Sequence, residues 1–247
     1  NLKMDRAGYF SASRISNSLA GGSGATNESY LIDLALEAIG LGKNYDDPSM
    51  LHGRNTEADA FEFVVKPLFP TAFLKSDEFE LINDDLGCST DVEFTDNKNV
   101  LDIKCPQLKG FLESKKAANV SKQYYDQIQT QLLKTGGEIG YLLYYLQKPV
   151  TWENADSWQD YDFENFYDNY FIKEIPVDYE RQELILKAVE ENAPIKNEII
   201  EMLLNAKVVD FKEHFRLNDE KFRKPIHKAS NILGKEIYRY ENDFYLL

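Results

Sequence analysis

Gly87-Cys88-Ser89-Thr90-Asp91-Val92-Glu93-Phe94, then Thr95-Asp96-Asn97-Lys98-Asn99, then Val100-Leu101-Asp102-Ile103-Lys104-Cys105-Pro106: this stretch decides the fold. Two short strands rich in β-branched and aromatic residues flank an Asp/Asn-rich turn, which reads as a β-hairpin whose second strand stops at Pro106. Asp91 is expected in the first strand, and Asp102 with Lys104 in the second. On a strand, residues i and i+2 share a face, so Asp102 and Lys104 point the same way while Ile103 points into the core. A carboxylate from the neighbouring strand then stands beside them. Two hard oxygen ligands and the Ile103 carbonyl suit Mg²⁺ or Mn²⁺, which take few carboxylates and keep several waters. A lysine on the same face holds a water or, as the neutral amine, deprotonates it, or as the ammonium offsets charge on a phosphorane, which is the equipment of metal-assisted phosphodiester hydrolysis. Asp-x-Lys alone also occurs on exposed strands as a simple ion pair. Here Val100, Leu101 and Ile103 surround Asp102 and point to a central strand, where a buried carboxylate needs a metal or a cation.

Working outward, Ala72-Phe73-Leu74 and Phe79-Glu80-Leu81-Ile82 are further strand candidates, with a turn at Asn83-Asp84-Asp85. Upstream, Ser11-Ala12-Ser13 with Ile15, Leu19 and Ala20 predicts a short capped helix, and residues 28–41 carry helical spacing through Leu31, Leu34, Ala35, Ala38 and Ile39. A second helix is expected over about 50–65, stopped by Pro67 and Pro70. Downstream come a helix containing Tyr124, Ile128, Leu132 and Leu133, a buried strand over Ile139 to Leu146, a strand over Tyr170 to Val177, and a helix over Glu180 to Leu204 broken at Pro194. The tail from Val208 shows no clear period. Helix, strands, helix and strand in this order predict an α+β, or mixed α/β, core with a central mixed sheet flanked by helices.

The chain has 247 residues, 43% of them hydrophobic, with 28 Lys+Arg against 42 Asp+Glu and a formal charge of −14. This is the composition of a globular protein that keeps to solution. No run reaches the roughly 18 apolar residues of a membrane span, and the first residues lack the apolar core of a secretory signal, so the sequence reads as cytoplasmic with no membrane partner. Cys88 and Cys105 are too few for a disulfide framework or a four-thiolate cluster. Acidity counts against a nucleic-acid partner, because Lys and Arg drive phosphate binding. The distribution is uneven, however. No basic residue lies between Lys148 and Lys173, where acidic and aromatic residues crowd, whereas Lys104, Lys109, Lys115, Lys116 and Lys122 fall close together.

Four segments, in order, resemble the phage lambda-type exonuclease family (YqaJ-like viral recombinases) of the PD-(D/E)XK nuclease superfamily. They are Arg6-Ala7-Gly8-Tyr9-Phe10-Ser11-Ala12-Ser13, Gly53-Arg54-Asn55-Thr56-Glu57-Ala58-Asp59-Ala60, the stretch quoted above, and Tyr124-Tyr125-Asp126-Gln127-Ile128-Gln129. The resemblance implies a restriction-endonuclease-like core and a Mg-dependent deoxyribonuclease, a 5′→3′ exonuclease on double-stranded DNA ends in recombination or repair. It implies that Asp91 and Asp102, with the Ile103 carbonyl, are metal ligands, and that Glu57 serves a second ion. Lys104 then orients or activates the attacking water, and Gln127 positions that nucleophile or the scissile phosphate. Arg6 and Ser13 match positions that hold the 5′-phosphate, a sensible use of a guanidinium fork and of a hydroxyl near a helix start. Two Mg²⁺ ions, with Mn²⁺ as substitute, a single-strand annealing partner and a homotrimeric ring are implied as well.

The resemblance covers about residues 5–146 well, so the reading is a nuclease domain over 1–205 with an acidic-aromatic insertion at about 151–170, and an extension of unknown role over 206–247. Asp102 stands where the family more often has Glu. Two other readings compete. One is a PD-(D/E)XK endonuclease or accessory nuclease, although the cluster-bearing kinds need four Cys. The other is a non-catalytic acidic protein that mimics DNA or docks a partner, which has no reason to keep Glu57, Asp91, Asp102 and Lys104 together.

Overall fold

The structure is a computed structural model that describes residues 6–19, 25–42, 48–75, 78–147, 169–205, 207–208, 227–232, 235–240 and 243–246. In chain order its elements begin with β1 (Phe10–Ser11), a 3-10 turn (Ile15–Asn17), α1 (Ala25–Ala38) and α2 (Pro48–Ala60), which runs on through a π-helical turn (Phe61–Val65) into α3 (Lys66–Leu68). Next come β2 (Ala72–Leu74), β3 (Glu80–Leu81), β4 (Leu86–Cys88), β5 (Val92–Phe94), β6 (Val100–Lys104), α4 (Leu108–Lys116) and α5 (Lys122–Thr135). Then follow β7 (Ile139–Tyr145), β8 (Tyr170–Pro176), α6 (Tyr179–Leu204), β9 (Lys207–Val208), β10 (His227–Ile232), β11 (Lys235–Tyr240) and β12 (Asp243–Leu246).

The strand that carries Asp102 is central, as its apolar neighbours require. The main sheet runs β2-β5-β6-β7-β8, with β6 and β7 parallel and the other pairs antiparallel. Its two faces follow the period of two. Leu101 and Ile103 join Val92, Phe94, Leu143 and Tyr145 beneath Ala60, Phe61, Val64 and Val65 of the α2 rod. Val100 joins Leu142, Tyr144 and Ile175 beneath Phe111 of α4 and Ile128 and Leu132 of α5. Asp102 and Lys104 alternate with Leu101 and Ile103 and so belong to the α5 face. Helices cover both faces, and the fold is mixed α/β, as expected. A third cluster packs α1 and α6 around Phe10, Ile15 and Leu86, beside a small sheet ordered β1-β4-β3.

Four local expectations are corrected. Residues 87–94 are two strands, because β4 pairs with β1 and β3 while β5 turns away to join β2 and β6. The chain breaks at Ser89–Asp91, so Asp91 lies in the bend before β5. The expected helix at Ser11 gives way to β1, where Phe10 is fully buried, and to a 3-10 turn whose cap residue Arg14 makes no side-chain cap. Neither Pro67 nor Pro194 stops its helix. Pro67 sits inside the short α3, and α6 runs unbroken for 26 residues through Pro194. Proline forfeits one backbone bond, but the buried stripe Ile185, Val189, Asn192, Ala193, Lys196, Ile199 and Leu203 continues past it, and Asn27 Nδ2 on α1 donates to Asn192 Oδ1 at 2.9 Å. Finally, the tail contains the strands β9 to β12, sheet order β10-β11-β12-β9. The acidic-aromatic insertion lies outside the described residues except at its end, where β8 begins at Tyr170.

The seam between α5 and the sheet is close. A Cβ added at Gly140 of β7 would press into Ile128 Cγ2 of α5, nearer than Cβ atoms pack. Gly140→Ala is expected to cost about 1–3 kcal/mol by overpacking, read as a lower urea midpoint. Ile128→Leu removes the offending branch and is expected to restore part of that loss in the double variant.

Candidate active site

Extending the register Val92↔Leu101 by one step sets Asp91 opposite Asp102 and on the same face. Asp91 replaces a strand carbonyl with its side chain, for the Ile103 backbone N–H donates to Asp91 Oδ2 at 2.7 Å. Asp102 is 1% exposed. Its Oδ1 accepts from Gln127 Nε2 at 2.6 Å and from Gln131 Nε2 at 3.1 Å, and its Oδ2 lies 2.6 Å from Lys104 Nζ. The ammonium of Lys104 also sits 4.9 Å from the ring centroid of Tyr124.

The electrostatics follow from these contacts. Burial, and then the facing Asp102, raise the Asp91 carboxyl well above its ordinary range, against the opposing pull of Lys104 and the Ile103 N–H. Glu57 on α2 is close enough to add to that rise. Burial alone would lower the Lys104 ammonium, yet Asp102 and Asp91 more than reverse it, so Lys104 stays charged at neutral pH. Two carboxylates thus oppose one ammonium, with a third carboxylate near. Apart from its ion pair to Lys104, Asp102 Oδ2 is buried and accepts no hydrogen bond among the described residues. A divalent cation fits this set: two acidic groups on one face with a third near, against a single ammonium, and a hard oxygen whose partner among the described residues is that ammonium. Among the described residues no three His, Cys, Asp or Glu side chains form a metal-holding group, so the fit is to an ion that keeps much of its water.

Helix α5 supplies Tyr124, Gln127 and Gln131. Ser121 Oγ caps it by accepting from the Tyr124 N–H at 3.3 Å, and Gly136, at φ 71°, closes it. Asp126, fully buried, is gripped by Arg181 of α6 through Nε at 2.6 Å and Nη2 at 2.9 Å. The half-buried Glu57 comes from the opposite side. Its neighbours Thr56 and Asp59 are tied to the end of β7 through Gln147, at 3.3 and 3.1 Å.

The structure therefore brings Asp91, Asp102, Lys104 and Gln127 together, with Glu57 within electrostatic reach. Gln127 spends an amide hydrogen on Asp102. Ser13 is exposed, and its carbonyl accepts from Gln123 Nε2 in the first turn of α5 at 3.1 Å, one turn before Gln127. Arg6 is exposed on a turn built around Gly8 (φ 81°), whose carbonyl accepts from Lys196, and its side chain joins none of these contacts. Three participants escaped the sequence reading. Tyr124 enters the sequence analysis only as a helix residue of the fourth matching segment, and Gln131 and Arg181 do not enter it. The one signal was polarity out of place, because residues 126, 127, 129, 130 and 131 are all polar and all buried. Cys88 and Cys105 stay outside the constellation, each pushed up to about 12 by burial.

The model of the YqaJ-like viral recombinase domain family matches residues 2–138. No curated protein matches the chain. Among solved structures, the alkaline exonuclease of Laribacter hongkongensis superposes with a TM-score of 0.63 at 20% identity, covering 81% of this chain and 93% of that one. The same enzyme in complex with dAMP gives 0.62 over the same shares, again at 20% identity. A phage-related exonuclease from Haemophilus somnus 129PT gives 0.61 at 14% identity, covering 79% of this chain and 96% of that one. At these identities the likeness is one of fold.

Proposed function

Because the chain belongs to the YqaJ-like viral recombinase domain family, we propose that its site hydrolyses DNA phosphodiester bonds, as a metal-dependent 5′→3′ exonuclease on double-stranded ends. The observation that carries this reading is the facing pair Asp91 and Asp102, with Lys104 on the same face and 2.6 Å from Asp102 Oδ2. The exonuclease fold of the structural neighbours, one of them solved with dAMP, supports it.

In this reading Asp91 and Asp102, with the Ile103 carbonyl, hold Mg²⁺ or Mn²⁺, and Glu57 serves a second ion. The bound ions supply Lewis-acid polarisation of the phosphate and a more acidic water. Lys104, held as an ammonium, orients the attacking water and offsets the negative charge that grows on the phosphoryl oxygens. Gln127 keeps Asp102 turned toward that centre. Arg6 and Ser13 receive the terminal 5′-phosphate, with Ser13 anchored one turn of α5 from Gln127. The nuclease unit spans 1–205, and three copies around DNA with an annealing partner complete the proposal. Light scattering with an added annealing protein reads those last two.

The test is incubation with 5′-phosphorylated linear duplex DNA, with Mg²⁺ or with a chelator, following each strand. Mg²⁺-dependent loss from 5′ ends is expected, and cutting of closed circles would make the enzyme an endonuclease instead. Polarity has its own test. A charge-assisted contact contributes about 1.5–3 kcal/mol, so Arg6→Ala should slow digestion of phosphorylated ends by about 10- to 150-fold. Ends with a 5′-hydroxyl should change much less. Equal losses on both would make Arg6 a general contact.

A further inference from the structure

Gln131 is fully buried, and both hydrogens of its amide are committed to acceptors on different elements. Nε2 donates to the Ser89 carbonyl at 3.0 Å and to Asp102 Oδ1 at 3.1 Å. Ser89 opens the bend between β4 and β5, two residues before Asp91. One side chain therefore ties the segment that presents Asp91 to the carboxylate of Asp102, across a place where the β5–β6 ladder has already ended at Val92↔Leu101. Beyond that point the Asp91 side chain meets β6 through the Ile103 N–H, and Gln131 adds the tie from the Asp91 bend to the Asp102 carboxylate itself. The amide orientation is dictated by its partners, since two acceptors call for the NH₂ group. Its Oε1 is buried and has no hydrogen-bond partner among the described residues.

We infer that Gln131 is a positioning residue that fixes the spacing of Asp91 and Asp102 for a divalent cation. The inference rests on the metal reading above. Gln127 differs from it, because its amide makes a single contact to Asp102 at 2.6 Å and none to the Asp91 bend.

Gln131→Met keeps length and bulk and removes both donors, and Gln131→Glu keeps an oxygen but has no donor and sets a carboxyl against Asp102. Mn²⁺ binding to the parent and to both variants is measured by calorimetry, alongside metal-free melting and the Mn²⁺ dependence of DNA cleavage. Loss of such an outer partner is expected to weaken Mn²⁺ binding by about 10- to 100-fold. Metal-free Gln131→Met sheds a buried orphan oxygen but also two hydrogen bonds, and is expected to stay folded and to melt within about 5 °C of the parent. Its cleavage should recover as Mn²⁺ is raised. A folded Gln131→Met that binds Mn²⁺ as tightly as the parent overturns the inference, as does a variant too unstable to fold, which makes Gln131 structural. A parent that binds no Mn²⁺ overturns the metal reading itself, and the two failures are thereby told apart.

Discussion

Lys104→Ala is expected to lower DNA cleavage by about 10²-fold or more while leaving DNA affinity close to the parent. The Lys104 side chain is 23% exposed and its ammonium lies 2.6 Å from Asp102, so it reaches the site from the edge of the core. A group whose charge matters most as negative charge builds on phosphate acts mainly in the transition state, and its removal lowers the catalytic rate constant and leaves KM little changed. Single-turnover cleavage of a linear duplex reads the rate, and binding in Ca²⁺ reads the affinity. Near-parent turnover would remove Lys104 from the mechanism.

Arg181→Ala is expected to be the most destabilising single change described here, at about 3–5 kcal/mol, because it strands a carboxylate that is already out of water. Asp126 is fully buried, and Arg181 meets both its oxygens in the bidentate geometry that gives such a pair its strength. Arg181 also begins the α6 cap, its N–H donating to Asp178 Oδ1 at 2.9 Å, a bond the substitution keeps. The loss is therefore that of the ion pair. Pairing Arg181→Met with Asp126→Leu removes both charges and should recover most of the stability. Urea unfolding of the three variants decides it, and a loss below about 1 kcal/mol for Arg181→Ala would mean that water reaches Asp126 when its partner goes.

The sheet was legible where period and burial agree. Val100 to Lys104 alternates around an apolar strand, and its neighbours Ile139 to Tyr145 and Tyr170 to Pro176 fall where periodicity puts them. It failed where tertiary pairing chooses between local options. Nothing in Gly87 to Phe94 says that the chain leaves one sheet for another at Ser89, because both halves have strand composition. Pro194 looked like a break because propensity weighs one lost bond against nothing, whereas the structure weighs it against a buried stripe on either side. The carboxylates and Lys104 were visible as a constellation because strand geometry is simple. Their supports were not, since the partners of Asp102 and Asp126 come from 25 to 55 residues away in sequence.

The wide turn at Phe61–Val65 has a consequence for how this sequence tolerates change in length. Between Ala60 and Lys66 the backbone closes its bond from the Lys66 N–H to the Phe61 carbonyl, one residue further back than an α-helix would. The turn therefore holds one residue more than an α-helical turn, and deleting one residue within it would leave a plain α-helical turn with the helix upstream close to its present orientation. A deletion in the α-helical stretch between Glu57 and Phe61 has no such slack and would wind Glu57 round by about 100°, away from Asp91, since an α-helix has about 3.6 residues per turn. Single-residue changes in length should therefore be borne within 61–65 and not between 57 and 61.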